Sequence, residues 1–267
     1  GVKMNSRVSK TKILVTVLAL LIVAVSLIGC NCARKVKLIN KNEEALQYIK
    51  KNKKKDLKNL KIENDTIVGI KNQKKVNGTL YLSGASKIGK NAFFGNANIH
   101  SLIVGEDVKE IQPSALSNLT KLKNIYFMGD KKMAFNSVNF NENLTTVNFY
   151  KTKLTAESNP FMNNKNLETF NIKDCKNIQC ENGQLIQNQN SERRVLSMTK
   201  KFDGKVSASA TMLLKHAGGG HSFEFSELSF GENSNMKEIQ NAVFANAENL
   251  KKVVLPKSLE NIAPDFA

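Results

Sequence analysis

Apolar residues recur at fixed offsets along the chain and define a unit of 22 or 23 residues. One copy opens at Ile88, and apolar residues follow it at offsets of 5, 11, 14 and 16, namely Phe93, Ile99, Leu102 and Val104. The next copy opens 23 residues later, and the same offsets again hold apolar residues: Ile111, Leu116, Leu122, Ile125 and Phe127. Alternation at the end of each copy predicts a short strand whose alternate side chains point into a core.

The middle apolar residue of each predicted strand marks the path of that core. These residues are Leu80, Leu102, Ile125, Val147, Phe170, Leu228 and Val253. The steps between them are 22, 23, 22, 23, 58 and 25 residues, and a period in the twenties with an L-x-x-L-x-L kernel is typical of a leucine-rich repeat. We therefore predict that residues 76–267 form a β-rich leucine-rich repeat solenoid. Its parallel strands stack one per repeat, with short or irregular segments on the convex side.

The step of 58 residues predicts an interruption of the repeats. Residues 178–186 and 194–198 are expected to form two strands around a polar loop at 187–193, as a hairpin insertion near 178–198. Residues 213–217 match the opening of the first copy, and 218–220 add three glycines, so we expect one solenoid to continue across the gap. The final copy opens at Ile262 and stops partway, which predicts a truncated array or a partner that covers its end.

An uncharged apolar run occupies residues 13–29, after the basic residues Arg7, Lys10 and Lys12. Its 17 residues lie at the lower bound for a membrane-spanning helix. The run ends in Gly29 and Cys30, which resembles a bacterial lipobox. We therefore predict that 1–29 is a lipoprotein-type signal peptide, an apolar helix, and that lipid on Cys30 holds the chain at the cell surface. An uncleaved, single-pass signal anchor is the alternative.

The formal charge of +17 is concentrated near this run, because residues 34–75 carry 14 basic and 5 acidic side chains. We predict that 30–75 form a basic stalk. Asn42 before Glu43 and Glu44 favours a short capping helix at 43–51, and a partly ordered linker is the other interpretation. The lysines suit anionic headgroups or acidic polymers. Nucleic acid is not expected, since aromatic residues do not alternate with them.

Candidate metal and catalytic residues are few. His216 and His221 flank the glycine run, but two ligands without a third make a weak metal site, so we expect exposed loop side chains and no metal. His100 lies in a predicted rung, where we expect a structural role. Neither a Ser-His-Asp arrangement nor a phosphate-binding glycine loop is recognisable. We therefore predict a protein that is not an enzyme and that uses no cofactor.

The cysteines other than Cys30 have open interpretations. Cys175 and Cys180 are a candidate disulfide pair, because export would place them in an oxidising compartment. Reduced thiols are the alternative, since pairing depends on a Cα separation that the sequence does not give. Cys32 lies two residues after Cys30, and we do not expect a second acylation there.

The repeats resemble the BspA-like leucine-rich repeats, whose units read I-G-x-x-A-F and then N-x-x-L-x-x-L-x-L-P-x-x-V-x-x-I. The matching segments are IGKNAF, IQPSAL, IQNAVF and LKKVVLPKSLENI, and the resemblance covers about residues 76–267. Leu116 and Val138 replace the motif phenylalanine, and only one kernel carries the proline, Pro256. Residues 182–185 are similar to the N-G-x-L hairpins that interrupt such arrays.

This resemblance implies a cell-surface protein that binds a protein ligand, in adhesion to host or other cells. It names no ligand, and the oligomeric state is open. A protein of another class is the alternative: a non-catalytic envelope scaffold or accessory subunit whose partner covers the carboxyl-terminal end.

Overall fold

A computed structural model describes residues 42–76, 78–245 and 247–267. The chain divides into two compact units, Gly1–Gln47 and Tyr48–Ala267. The described residues of the first unit, 42–47, are helical. The predicted signal peptide at 1–29, the predicted lipidation site Cys30 and its neighbour Cys32 lie outside the described residues. Within the described ranges, no helix is long and apolar enough to cross a membrane.

The second unit begins with helical residues 48–59, here called α1, and continues almost entirely as short strands. A 3-10 turn at Gln73–Lys75 follows the second strand. In chain order the strands are β1 (Leu60–Glu63), β2 (Thr66–Ile70), β3 (Gly78–Leu82), β4 (Lys87–Ile88), β5 (Ile99–Val104), β6 (Glu110–Ile111), β7 (Asn124–Met128), β8 (Lys131–Met133), β9 (Thr146–Tyr150), β10 (Leu154–Thr155), β11 (Thr169–Lys173), β12 (Ile178–Glu181), β13 (Gln184–Gln189), β14 (Glu192–Met198), β15 (Lys205–Val206), β16 (Met212–Leu213), β17 (Glu227–Phe230), β18 (Glu238–Ile239), β19 (Lys252–Val253) and β20 (Asn261–Ile262).

The longest parallel ladder consists of β3, β5, β7, β9 and β11, which we call the amino-terminal ladder. Its register pairs the apolar residues that recur in the sequence, and all of them are buried: Leu80, Leu102, Ile125, Val147 and Phe170. A second parallel set, the carboxyl-terminal ladder, consists of β15, β17 and β19. Leu228 pairs with Val253 there, and Val253 is only partly buried. The repeating unit therefore builds a β-solenoid of parallel strands.

Each turn of the solenoid supplies two strands, where the sequence predicted one. The two-residue strand β4 pairs with β6, so Ile88 lies beside Ile111, and both side chains are buried. Strands β1, β2, β4, β6, β8 and β10 form this second sheet. A two-residue strand has no visible alternation, which is why the sequence pattern did not indicate it. The sheet also begins at Leu60, ahead of the predicted solenoid start at 76.

The helix is longer than the predicted 43–51, since helical residues continue to 59. This stretch contains neither glycine nor proline, and lysine is a good helix former. Two of its side chains satisfy the free edge of β3. The Tyr48 hydroxyl donates to the Thr79 carbonyl at 2.6 Å, and the Tyr81 amide donates to Asp56 Oδ2 at 2.9 Å. Part of the predicted stalk therefore covers the first strand of the ladder.

The insertion after β11 is a three-stranded antiparallel meander, β12, β13 and β14. The sequence predicted two strands around a loop at 187–193, and that detail is wrong, because most of those residues pair as β13 and β14. Both turns contain two residues with positive φ: Asn182 (47°), Gly183 (73°), Asn190 (52°) and Ser191 (67°). Two consecutive residues of this conformation make the tight turn that suits a β-hairpin.

No strand pairing joins the two ladders across the part of the chain that the structure describes. The apolar core is likewise divided into two clusters. Loop hydrogen bonds make the connection instead. The Asn159 side-chain amide donates to the carbonyls of His216 at 2.8 Å and Ala217 at 3.3 Å, and the Asn163 backbone amide donates to the Gly219 carbonyl at 3.2 Å. The stack also continues through the insertion itself, because the Gln187 side chain donates to the Leu154 carbonyl of β10 at 2.8 Å, and β14 begins a parallel series with β16, β18 and β20.

Candidate binding face

Alternation along the strands of the amino-terminal ladder leaves one face of this sheet outside the core. The residue after each inward apolar residue points away from the core cluster. These residues lie in register on neighbouring strands and form what we call the outer row: Tyr81, Ile103, Tyr126, Asn148 and Asn171. The apolar kernels indicate the inward row directly, and the outer row follows one residue further along each kernel.

The first half of the outer row is apolar and closely packed. Tyr81, Ile103 and Tyr126 are exposed by only 6%, 2% and 8%, although they lie on the outside of the sheet. Tyr81 reaches across to the end of β5, because a Cβ added to Gly105 would lie 2.6 Å from the Tyr81 hydroxyl. Glycine is required at 105 for this approach. Burial, and next the charge of Asp107, raise the pKa of Tyr81, so the hydroxyl remains a hydrogen-bond donor at neutral pH.

The second half of the outer row is formed by amides. The Asn171 side-chain amide donates to Asn148 Oδ1 at 2.8 Å, and that of Asn148 donates to the Ile125 carbonyl at 3.1 Å. These bonds fix the orientation of both side chains. Asn148 is only 3% exposed, so the partly exposed Asn171 is the amide of this half that solvent reaches.

Two further rows flank the outer row, one of five residues and one of three. Hydroxyl and amide side chains form one of them: Thr79, Ser101, Asn124, Thr146 and Thr169. Met128, Tyr150 and Lys173 form the other. The ammonium groups of Lys151 and Lys173 lie 5.3 and 5.7 Å from the centre of the Tyr150 ring, within the range of cation–π attraction. We call the three rows together the binding face.

Where it is accessible to solvent, the binding face offers hydroxyl and amide groups and the Tyr150 ring, with a positive corner at Lys151 and Lys173. Such residues lose little conformational entropy on binding, because packing and hydrogen bonds already restrict them. The described residues contain no group of three or more His, Cys, Asp or Glu that could hold a metal ion. The arrangement is suited to contact with another macromolecule.

The histidines differ from the expectation of exposed loop side chains. His221 is only 2% exposed, since the glycine turn folds it into the core with its ring 5.7 Å from that of Phe223. That expectation was wrong for His221, and burial lowers its pKa to about 4. His216 is half-buried and stacks on Phe135, with ring centres 5.5 Å apart. His100 lies exposed on β5.

Cys175 and Cys180, the candidate disulfide pair, are separate thiols in the structure. Cys175 is half-buried, and its thiol donates to the Lys173 carbonyl at 3.3 Å. Burial raises the pKa of Cys175, so this thiol is a weak nucleophile. Cys180 is exposed on β12.

The stacked parallel strands and the 22–23-residue period define a leucine-rich repeat solenoid. The chain belongs to the BspA type leucine rich repeat family. The family model matches in six copies over residues 71–182 and 220–266, which together are more than half of the chain. The matches leave out 183–219, which contains most of the meander and the opening of the repeat that follows it at 213–217. The predicted family is therefore confirmed.

Several solved structures are similar to this chain. A leucine rich cell surface protein from Faecalibacterium prausnitzii is 13% identical, with a TM-score of 0.33, over 78% of this chain and 83% of that chain. A leucine-rich repeat protein from Eubacterium ventriosum is 13% identical, with a TM-score of 0.35, over 71% and 75%. The pneumococcal vaccine antigen PcpA is 13% identical, with a TM-score of 0.36, over 74% and 68%. Comparison with curated proteins gave no significant match.

Proposed function

We propose that the protein binds other proteins at the cell surface through the binding face, in adhesion to host or other cells. The side chains of this face that are at least partly exposed carry this proposal, because they lie in register on five consecutive strands: Thr79, Ser101, Asn124 and Thr169 in one flanking row, Tyr150 and Lys173 in the other, and Asn171 at the end of the outer row. Membership of a leucine-rich repeat family supports protein binding as its use.

The area of the binding face indicates that the sheet alone is too small to form a stable complex. Five strands about 4.8 Å apart and five residues of about 3.3 Å each give an area of about 300 Å². A stable complex buries about 800 Å² on each partner. The loops that flank the sheet must therefore supply the remaining contacts.

The proposal is tested by binding to an array of host-matrix and microbial surface proteins. We expect at least one saturable interaction, weakened at least tenfold by the double variant Tyr150→Ala, Lys173→Glu. The matched control is Phe94→Ala, Lys90→Glu, which changes an exposed aromatic residue and a lysine on the loop after β4. It should change affinity less than twofold. No saturable binding, or equal losses in both variants, would contradict the proposal.

Surface display is a separate part of the proposal, supported by the apolar run at 13–29 and the lipobox-like residues before Cys30. Cells that express the chain should incorporate labelled palmitate into it, and external protease should remove the solenoid. Replacement Cys30→Ser should abolish the label. Labelling that persists in this variant, or a solenoid that resists external protease in intact cells, would argue against lipid anchoring at the surface.

Exposed apolar residues favour one alternative, an accessory subunit or envelope scaffold whose partner covers the region of β19 and β20. Val254, Leu255 and Ile262 are exposed by 42%, 46% and 40%. On this alternative, the chain should co-purify with a partner from envelope extracts. Val254→Glu should release the partner, whereas Tyr150→Ala should not. A complex unaffected by Val254→Glu would exclude this role for the patch.

A further inference from the structure

A cleft of about 380 Å³ between α1 and the 3-10 turn is lined almost entirely by lysines. Lys54, Lys55 and Lys58 approach it from the helix, Lys75 approaches it from the turn, and Asn59 forms the remaining wall. We call these five residues the lysine cleft. The surrounding segment is also basic, since residues 48–76 contain ten lysines and three acidic residues. The cleft is therefore the centre of a strongly positive region.

The two elements that line the cleft are held together by hydrogen bonds. The Lys71 backbone amide donates to the Asn59 carbonyl at 2.8 Å. The Asn59 side chain donates to the Asn72 carbonyl at 3.0 Å and accepts from the Asn72 amide at 3.1 Å. The Lys71 ammonium donates to the Lys58 carbonyl at 3.2 Å. Because these bonds fix the turn against the helix end, binding does not have to order the backbone that carries the charges, and only the lysine side chains lose conformational freedom.

The four lysines of the cleft are not neutralised internally. Within the described ranges, none of them forms an ion pair. Asp56 follows Lys55 in the sequence, but its side chain is buried. Its carboxylate accepts hydrogen bonds from the Tyr81 amide and the Tyr48 hydroxyl. Four like charges that converge on one cleft repel each other, and an external anion relieves this repulsion.

The neighbouring side chains distinguish between classes of anionic partner. No large exposed hydrophobic side chain lies within 48–76, so the described segment has no group that would insert into a bilayer. The chain has no tryptophan, and the aromatic residue of α1, Tyr48, is bound to Thr79, so the cleft lacks a stacking platform for bases. A hydrophilic polymer fits better than a membrane or a nucleic acid.

The spacing of the lysines indicates a ligand with repeated charges. Lys50, Lys54 and Lys58 follow each other at i+4 along α1, which places successive charges about 6 Å apart on one side of the helix. We propose that the lysine cleft and this lysine row bind an extended hydrophilic polyanion, a carbohydrate or polyol polymer, through its sulfate or phosphate groups. This surface is separate from the binding face and does not depend on it.

The test uses the full chain and two polymers, heparin for sulfate groups and poly(glycerol phosphate) for phosphate groups. The cleft variant replaces Lys54, Lys55, Lys58 and Lys75 with glutamine. The matched control replaces four exposed lysines outside the cleft with glutamine, Lys90, Lys121, Lys123 and Lys165. We expect at least a tenfold loss of affinity in the cleft variant and less than a threefold loss in the control. The slope of log Kd against log salt concentration should also decrease only in the cleft variant.

The arms of this experiment separate the remaining explanations. Tighter binding to heparin or to poly(glycerol phosphate) identifies the anionic group. Equal losses in both variants, or no binding to either polymer, would overturn the proposal. Cleft-dependent binding to phosphatidylglycerol vesicles or oligothymidine that exceeds binding to both polymers would overturn it in favour of a membrane or a nucleic acid. Should the quadruple variant fold poorly, the single variant Lys75→Glu on the turn should still weaken polymer binding at least threefold, and no loss there would equally contradict it.

Discussion

The amino-terminal and carboxyl-terminal ladders start from the same repeat pattern and differ in how completely they form sheet. The first has five strands of five or six residues, and the second has three strands of two to four residues. Kernels in the first follow each other at 22 or 23 residues, whereas the second begins after a gap of 58. Strict spacing lets every strand residue pair with its neighbour, so a regular period determines sheet length as well as register.

The two cores differ in the same way. Aliphatic residues in register dominate the first core, with Phe127 stacked on Phe149 at 5.4 Å. The second core is centred on four phenylalanines, and the ring centres of every pair of them lie within 6.2 Å: Phe202, Phe223, Phe225 and Phe244. The first core also contains four contacting phenylalanines, Phe127, Phe149, Phe161 and Phe170, but more aliphatic residues surround them. Aromatic rings therefore form a larger share of the smaller second core.

The largest expected effect comes from truncating the middle residue of a kernel, and it should differ between the two ladders. Leu102→Ala removes a fully buried side chain from the amino-terminal ladder and should lower the free energy of unfolding by about 3 to 4 kcal/mol. Val253→Ala removes a partly buried side chain from the other ladder and should cost about 1 kcal/mol. Urea unfolding measures both. Equal losses would show that the two ladders are packed equally well.

The next effect is a pH dependence that acts on the carboxyl-terminal core. The pKa of His221 falls from 6.5 to about 4 on folding, so the folded state favours the neutral ring. Its stabilisation is complete above pH 6.5 and is lost as the pH falls through this range, by about 3 kcal/mol at pH 4. Urea unfolding at pH 7 and pH 4.5 measures the loss. His221→Gln should flatten this part of the profile, and an unchanged profile would contradict the assignment.

The connection between the ladders depends on Asn159. Asn159→Ala leaves the Phe161 amide without its partner and removes one of the two bonds to each of the His216 and Ala217 carbonyls, which still accept from the Gly219 and Met198 amides, and should cost about 2 kcal/mol. Because this side chain joins the two halves of the stack, unfolding should also separate into two transitions. Circular dichroism during urea unfolding measures the midpoint and the number of transitions. Asn166→Ala, which removes an exposed bond to the Glu142 carbonyl, is the control and should have little effect.

The smallest effect concerns the turns of the meander. Gly183→Ala places a Cβ 2.7 Å from Thr199 Oγ1 at a residue whose φ is +73°, and should cost about 1 kcal/mol. Ser191→Gly, at φ 67° in the other turn, should be neutral or slightly stabilising, because glycine adopts this conformation freely. Thermal unfolding compares the two variants. A loss in Ser191→Gly as large as that in Gly183→Ala would contradict the turn geometry.

The sequence was most informative where its pattern was long and periodic. Residues 22 or 23 apart, such as Leu102 and Ile125, lie side by side, because parallel stacking converts a period into a register. The two-residue strand at Ile88 was not predictable, since pairing partners far along the chain define it. Burial of His221 was also not predictable, because a glycine run usually indicates an exposed loop, and here it folds inward.

The sequence allowed only part of the binding face to be predicted. The kernels indicated which residues point inward, and the outer row follows by alternation. The reach of Tyr81 to Gly105 and the amide bond between Asn171 and Asn148 depend on side-chain conformations, which no period encodes. The lysine cleft likewise needs the turn at 73–75 to fold against α1, although the excess of lysine was visible in the composition.

The contacts from Tyr48 and Asp56 to β3 have a consequence for self-association. An unpaired strand edge is a template on which a second copy of a protein can add, and such addition leads to aggregation. Here the Thr79 carbonyl and the Tyr81 amide are already occupied by side chains from within the chain. Copies crowded together at high local density can therefore display their sheets side by side without fusing along this edge into fibres.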